Sequence, residues 1–347
     1  MPTAYIQRPG AKVSLESAHL DVRLPAGLEQ EAETRVLPLR DLDRVILSNR
    51  VNISTAALSA LVEHGIPVVL MTGNGRMMGA FLPPMRDHAA FRLAQYQCTQ
   101  EPEFALLLAG RIIAAKIYNQ RRALQRLAAN RREAMAAEPG SEELQASVGR
   151  ALAQMERLLA DAPRCENMEQ LRGVEGAAAA QYFAAWARFF PLGQPFPGRS
   201  TRPPLNPPNA CLSFISTMLY HEMVAFLHAH GLDPGLGLLH TTENGRWSLA
   251  LDLMEPFRPV VAEALTLDLF SRRMLEASHF GPKKGGVYLN AGGRPKLILQ
   301  YEKRMDRQFM SESAGHRTTL RQQLERQASM FKAALEDVDR FEPFLMN

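Results

Sequence analysis

His240, Asp252 and Glu255 fall in one short stretch, Leu239 to Pro259, and an imidazole followed by two acids three positions apart can hold a divalent cation. The acids interrupt an otherwise apolar run from Leu249 to Phe257, where a lone buried carboxylate costs on the order of several kcal/mol. Something positive is expected opposite them. On a helix, positions i and i+3 would project both carboxylates from one side. Pro256 disfavours α geometry at Glu255 and fits the first position of a helix, so a helix starting at Asp252 or Glu255, with the acids as caps, accounts for the pair equally well.

Glu175 adds a third carboxylate. Leu171, Glu175, Ala178, Tyr182 and Trp186 recur at helical steps, which sets the acid in an apolar stripe. Gly173, Gly176 and the alanines from 177 to 180 keep the neighbouring surface small, open to another backbone or to a ligand. The plainer alternative is a tight helix-packing face whose Glu finds an Arg. A His with two or three carboxylates is a hard, mixed donor set that suits Mg²⁺ or Mn²⁺ better than structural zinc. Such a cation can polarise a phosphodiester and stabilise its attacking or leaving oxygen.

Other candidates carry less. His221-Glu222 begins like a zinc-protease motif, but Ala225 stands where the second His is required. His228 and His230 are expected at the exposed end of their helix. Gly281 to Gly286 is a basic glycine-rich turn without a P-loop ending, leaving a phosphate-touching loop or a plain turn. Arg111, Lys116, Arg121, Arg122, Arg126, Arg131 and Arg132 crowd one long helix, either tracking a phosphate backbone or forming a solvated face.

The elements that would position these groups divide at Pro83-Pro84. Residues 1–84 read as β-rich, with strands at Lys12 to Leu15, Arg35 to Leu39, Val45 to Leu47, Ile66 to Met71 and Met77 to Leu82. Gly73-Asn74-Gly75-Arg76 is a hairpin signal, and one helix runs from a Ser54 cap to a Gly65 stop. Residues 85–347 read as helical. Helices are expected near Asp87 to Thr99, Glu101 to Glu133, Ser141 to Asp161, Glu166 to Phe190 and Ala210 to His230. Three more run from Asp252 or Glu255 to Leu275, Pro295 to Gln308 and Arg317 to Val338. Pro191 to Asn209, rich in proline and carrying Arg199 and Arg202, is expected to be non-helical, either an ordered basic loop over a site or a surface connection.

A chain of 347 residues is long enough for two domains, each with a core. With 46% hydrophobic and 22% charged residues it reads as soluble and globular, and no apolar run is expected to reach the roughly 20 residues of a membrane span. The N-terminus lacks a signal-peptide pattern, and Cys98, Cys165 and Cys211 are too scattered for a disulfide framework, so a cytoplasmic location is expected. The net charge of +4 is modest, but only seven of the 40 basic residues are Lys. Arg suits bidentate phosphate contacts, although an Arg-favouring base composition would give the same bias.

Taken together, these motifs resemble the CRISPR-associated protein one family, the integrase and endonuclease that captures new spacers. The resemblance rests on Ser48-Asn49-Arg50-Val51-Asn52-Ile53-Ser54, Gly65 to Met71, Gly79 to Pro83, Gly173-Val174-Glu175-Gly176 before Tyr182-Phe183, Arg202-Pro203-Pro204 with Asn209, and His240 to Pro259. It implies an α+β protein: a β-sandwich-like N-terminal domain followed by a larger all-helical catalytic domain. It maps the family's metal ligands onto Glu175, His240 and Glu255, with Asp252 as a supporting catalytic acid. Many relatives carry Asp where this chain has Glu255. Arg258 and Asn209 match positions of structural or DNA-contact support. The resemblance further implies Mg²⁺ or Mn²⁺, a homodimer, CRISPR-associated protein two as partner, and double-stranded DNA, both prespacer and repeat, as substrate. The reaction implied is attack of a prespacer 3′-hydroxyl on a repeat phosphodiester. A metal-dependent nuclease of branched DNA in repair, or a non-catalytic DNA-binding scaffold, are the other readings.

Overall fold

Val, Ile and Leu at alternate positions make the N-terminal strands amphipathic on a two-residue period, and this decides how they stack. The structure, a computed structural model, describes residues 3–26, 31–72, 77–82, 89–135, 141–312 and 315–347. The chain divides into two compact units, Met1–Asp87 and His88–Asn347. The expected Gly73–Arg76 hairpin tip, the Pro83-Pro84 boundary and Asp87 lie outside the described residues.

The first unit contains two four-stranded sheets and one helix. In one sheet β1 (Thr3–Ile6), β5 (Arg44–Ser48) and β7 (Val68–Met71) are parallel, and β8 (Met77–Phe81) closes the edge antiparallel to β7. The other runs β4 (Glu33–Pro38), β3 (His19–Leu24), β2 (Lys12–Glu16) and β6 (Asn52–Ile53). Val13, Leu20 and Val22 of one sheet, Val45, Leu47 and Val68 of the other, and Ala57 and Leu61 of helix α1 (Thr55–Glu63) share one buried cluster. Ile46, Val69 and Met71 point to the opposite face and form a smaller one. The Ser54 hydroxyl accepts the Ala57 N–H at 3.2 Å, and Gly65 stops the helix with φ +73°. Strands β1, β3 and β6 fall outside the expected runs.

The second unit is built on α3 (Pro102–Met135), which packs against α4 (Ser141–Asp161), α5 (Met168–Ala187) and a short turn at Glu255–Phe257. Helix α2 (Ala89–Gln100) precedes α3, and α6 (Pro207–Ala229) runs through the core. It begins inside the stretch expected to be loop, because Pro207 and Pro208 occupy the first helical turn, where no N–H is needed, and Asn206 caps it. At 23 residues α6 is long and apolar enough to match a membrane span by length and composition, which corrects the expectation that no run approaches that length. Most of it is buried within the unit, as a core helix must be.

Helix α7 (Ser248–Met254) leads into a 3₁₀ turn at Glu255–Phe257, a π turn at Pro259–Glu263 and then α8 (Ala264–Ser271). This departs from a helix that starts at Asp252 or Glu255. Neither acid caps a helix start, and Glu255, the last cap of α7 and the first residue of the 3₁₀ turn, keeps α geometry with φ −54° and ψ −43° despite the following proline. The tightening to a 3₁₀ turn makes up for the missing Pro256 N–H, since the Glu255 N–H reaches Asp252 O in its place. Both Ala262 and Glu263 donate to Arg258 O, at 2.9 and 3.0 Å, while Asn119 Nδ2 donates to Pro256 O at 2.7 Å.

The helical unit also carries two hairpins. Strands β9 (Phe280–Lys283) and β10 (Gly286–Leu289) are joined at Lys284-Gly285, both with positive φ (+47° and +75°), so the basic glycine-rich segment forms a hairpin turn. Helix α9 (Gly293–Asp306) is followed by β11 (Gln308–Ser311) and β12 (His316–Thr319), whose last residue caps α10 (Leu320–Ala334) with a capping box.

Candidate active site

The apolar stripe of α5 buries Leu171, Ala178, Tyr182 and Trp186, and Trp186 is fixed by edge-on contacts with Phe190 and Phe196. Glu175, on the same stripe, is only partly buried and pairs with a lysine, Lys116 of α3, whose Nζ lies 2.5 Å from its Oε1. The same ammonium lies 2.6 Å from Glu255 Oε2. Carboxylates from α5 and from the 3₁₀ turn therefore share one protein cation. Arg258 Nη1 donates to Glu255 Oε1 at 3.0 Å. The positive groups that the buried acids demand are thus Lys116 and Arg258.

Their electrostatics follow from depth. Burial alone would raise the Glu255 carboxyl, but Arg258, then Lys116 with its hydrogen bond, and His240 outweigh it and bring it down to about 2. Burial would lower the Lys116 ammonium; Glu255 and Glu175 override it and raise it. Behind the site Glu263 is buried and its carboxyl is raised by that burial; the Tyr182 hydroxyl hydrogen-bonds to it.

Asp252 does something different. Its side chain is fully buried and accepts the backbone N–H groups of Leu238 (2.6 Å), Leu239 (3.0 Å) and His240 (3.1 Å), and it contacts His240 Nδ1. It therefore folds the loop and orients the imidazole, leaving Nε2 as the ring's remaining ligand atom. The loop is tied at two further points. Arg172 Nη2 donates to Leu239 O at 2.8 Å, and the Ser248 hydroxyl donates to Thr241 O at 2.7 Å. A Cβ at Gly237 would lie 2.3 Å from His240 O and 2.5 Å from Ser248 Cβ, so only glycine fits there. Among the described residues no three His, Cys, Asp or Glu side chains are grouped closely enough to hold a metal ion as they stand.

Residues 4–303 match the family model described as CRISPR associated protein Cas1. The chain belongs to the Cas1 family. It is 35% identical over 321 residues to a CRISPR-associated endonuclease Cas1 of Rhodospirillum rubrum, covering 90% of each chain. To a CRISPR-associated endonuclease Cas1 of Thermus thermophilus it is 32% identical over 341 residues, covering 98% of this chain and 96% of that one. Its fold is similar to a casposase solved bound to its integration product, with a TM-score of 0.82 at 20% identity over 96% of this chain and 90% of that chain. It is also similar to a chain of a Cas6-RT-Cas1–Cas2 complex, with a TM-score of 0.77 at 23% identity, over all of this chain and 36% of that chain.

Within this Cas1 fold Glu175, His240, Glu255 and Asp252 meet around α3 in two couples, Glu175 with Glu255 through Lys116, and His240 with Asp252. Gly173 and Gly176 are exposed, and a Cβ added at either would meet nothing within 4 Å, so the small face of α5 is open and is not a tight helix-packing surface. Asn209 is wholly buried and pins the proline-rich loop: its Oδ1 accepts Ser200 N–H and Arg199 Nη1, each at 3.0 Å, and its Nδ2 donates to Gly198 O at 2.7 Å. Its part is structural. Burial lowers the Arg199 guanidinium to about 10.

Four members of the basic row on α3 are engaged within the chain and form neither a solvated face nor a free track for phosphates. Arg111 grips Val338 O and Asp339, Arg121 pairs with Glu156, Arg126 donates to Asn347 O, and Lys116 is buried between the acids. Sequence reasoning missed Lys116, Arg172 and Gly237 as site residues. Lys116 did carry a signal, because it interrupts the apolar run from Ile112 to Ile117 just as Asp252 and Glu255 interrupt theirs.

Proposed function

We propose that this Cas1 family member is a metal-dependent endonuclease and integrase of CRISPR adaptation that joins prespacer 3′-hydroxyl ends to repeat phosphodiesters. Glu175, His240 and Glu255 would be the metal ligands, and Asp252 the group that aims His240. One observation carries the reading: Glu175 and Glu255, from separate elements, converge on a single cation with separations of 2.5 and 2.6 Å, beside a histidine whose other nitrogen is held by a buried acid. The donor set fits Mg²⁺ or Mn²⁺, and the space between the carboxylates already accepts positive charge.

When bound, the metal would polarise the scissile phosphodiester and stabilise charge on the attacking and leaving oxygens. The chain's own part is placement. Arg258 keeps Glu255 ionised and fixed, Asp252 fixes the tautomer and direction of His240, and the open face of α5 beside Glu175 leaves room for a nucleic-acid backbone. One phosphodiester replaces another: the prespacer 3′-oxygen bonds to phosphorus as the repeat 3′-oxygen leaves and takes a proton. No nucleotide cofactor is needed. Relatives solved as a Cas1–DNA complex and as a Cas6-RT-Cas1–Cas2 complex support DNA as substrate and a Cas2-type partner; we propose in addition that the chain works as a homodimer on double-stranded DNA.

Glu175→Ala or His240→Ala should abolish Mg²⁺- or Mn²⁺-dependent strand transfer into a repeat-containing plasmid and leave duplex binding within about twofold. Full activity in both variants would remove the proposed site. Cleavage of branched DNA without any joined product would instead mark a repair nuclease.

A further inference from the structure

The cation that joins the two acids belongs to the protein. Lys116 projects from α3 with a side chain 8% exposed, and its ammonium makes the ion pair to Glu175 and one of the two to Glu255. Removed from that position, it would leave two carboxylates facing each other in a largely buried site, where like charges repel strongly. The helix that carries it is itself held in place: Asn119, three residues on, donates to Pro256 O at 2.7 Å, next to Glu255. The charges of Glu175 and Glu255 are matched by Lys116 and Arg258. A divalent ion added beside an unmoved Lys116 would bring two uncompensated positive charges into a space that one ammonium already fills.

We infer that Lys116 is an internal placeholder for the metal. It holds Glu175 and Glu255 together before a divalent cation binds, and its ammonium must leave the space between them for the cation to enter, so competition with Lys116 sets the metal affinity. This rests on the metal assignment made above and adds to it a residue that no donor-set argument would select, since an ammonium is never a ligand. The swing is open to a lysine, whose four-carbon stem rotates about fixed backbone, and would be less open to the wider, planar guanidinium of an arginine.

The test is Mn²⁺ binding to the full chain by titration calorimetry, with melting temperatures recorded with and without metal, for the wild type, Lys116→Met, Lys116→Arg and Glu175→Gln. Lys116→Met should bind Mn²⁺ roughly tenfold tighter or more, since one tenfold step corresponds to about 1.4 kcal/mol of removed competition. Its metal-free form should melt lower than wild type and recover with saturating Mn²⁺. Lys116→Arg should show no tightening. Equal or weaker Mn²⁺ binding by Lys116→Met, with wild-type binding abolished by Glu175→Gln, overturns the placeholder role and leaves the metal site standing. Wild-type binding that Glu175→Gln does not change overturns the metal assignment and the placeholder with it. Should Lys116→Met fail to fold, wild-type protein labelled with ¹³C at lysine Cε answers the same question: saturating Mg²⁺ should shift the Lys116 resonance, and an unmoved signal overturns the inference.

Discussion

A buried aspartate that accepts three backbone N–H groups and holds an imidazole is a scaffold made of one side chain. Asp252 closes the loop at Leu238 to His240, and Gly237 allows the loop to pass against Ser248. Gly237→Ala forces a Cβ into His240 O, and because displacements of about 1 Å at a reacting centre cost roughly 10²-fold, strand transfer should fall by that order. Duplex binding should stay near wild type, which a filter-binding assay checks. Glu255 has a carboxyl held near 2, below the ordinary 4.5, so the stability it contributes is present above pH 4.5 and is lost as pH falls toward 2. His221 behaves with the same sign for a different reason. Burial lowers it from 6.5 to about 4, so the unfolded chain binds the proton first and stability drains away as pH falls from 6.5 to 4. The loss should be on the order of 3 kcal/mol, and His221→Phe should flatten it in denaturant titrations across that range. At this scale the acids and the histidine were legible because buried charge is conspicuous in an apolar run. Lys116 was obscured by the arginines around it, and Gly237 owes its importance to atoms eleven residues away in sequence, at Ser248.

Among the elements, the passage from Ser248 to Ser271 decides the geometry of the site. It changes pitch three times, and two of its carbonyls accept from side chains outside it, Pro256 O from Asn119 at 2.7 Å and Val260 O from Arg304 at 2.8 Å. Asn119 also donates to Phe344 O at 3.0 Å and accepts the Met346 N–H at 2.7 Å, while the Phe344 ring stacks on Phe257 with centroids 4.6 Å apart. Asn119→Ala would leave these buried groups unpaired, each costing about 1–3 kcal/mol, so the melting temperature should drop by several degrees in a thermal scan. Asn119→Asp, which keeps the acceptor and loses both donors, should recover only part of it. Helices with a regularly spaced apolar face, such as α4 and α5, could be read from periodicity. The start of α7 could not, since Trp247 offers no capping oxygen, and Pro256 read as a beginning when it sits in the middle. Strand β3 shows Leu20, Val22 and Leu24 at alternate positions, a signal present yet weakened by the intervening Asp21 and Arg23.

For the molecule as a whole, each unit closes its own core, the first around two sheets and α1, the second around α3 and α6. The change from two-residue to helical periodicity in the sequence falls at Pro83-Pro84, and the compact units divide between Asp87 and His88. The arginine excess was visible too, but its distribution was not: where contacts are described on α3, arginines hold the chain terminus and neighbouring helices. Phosphate binding should be dominated by charge. Affinity for duplex DNA is expected to fall by at least about tenfold between about 50 and 200 mM salt, the behaviour of a protein contacting several phosphates, and a flat dependence in a fluorescence-anisotropy titration would contradict it. The π turn at Pro259–Glu263 has a consequence for how this chain can vary in length. A single residue removed there would let the helix run on at regular pitch and leave α8 facing nearly as before, because the five residues of a π turn sweep about as far as four of an α-helix. A one-residue deletion should therefore be tolerated at this turn and rejected within α3, where the same change would turn the rest of a regular helix by about 100°.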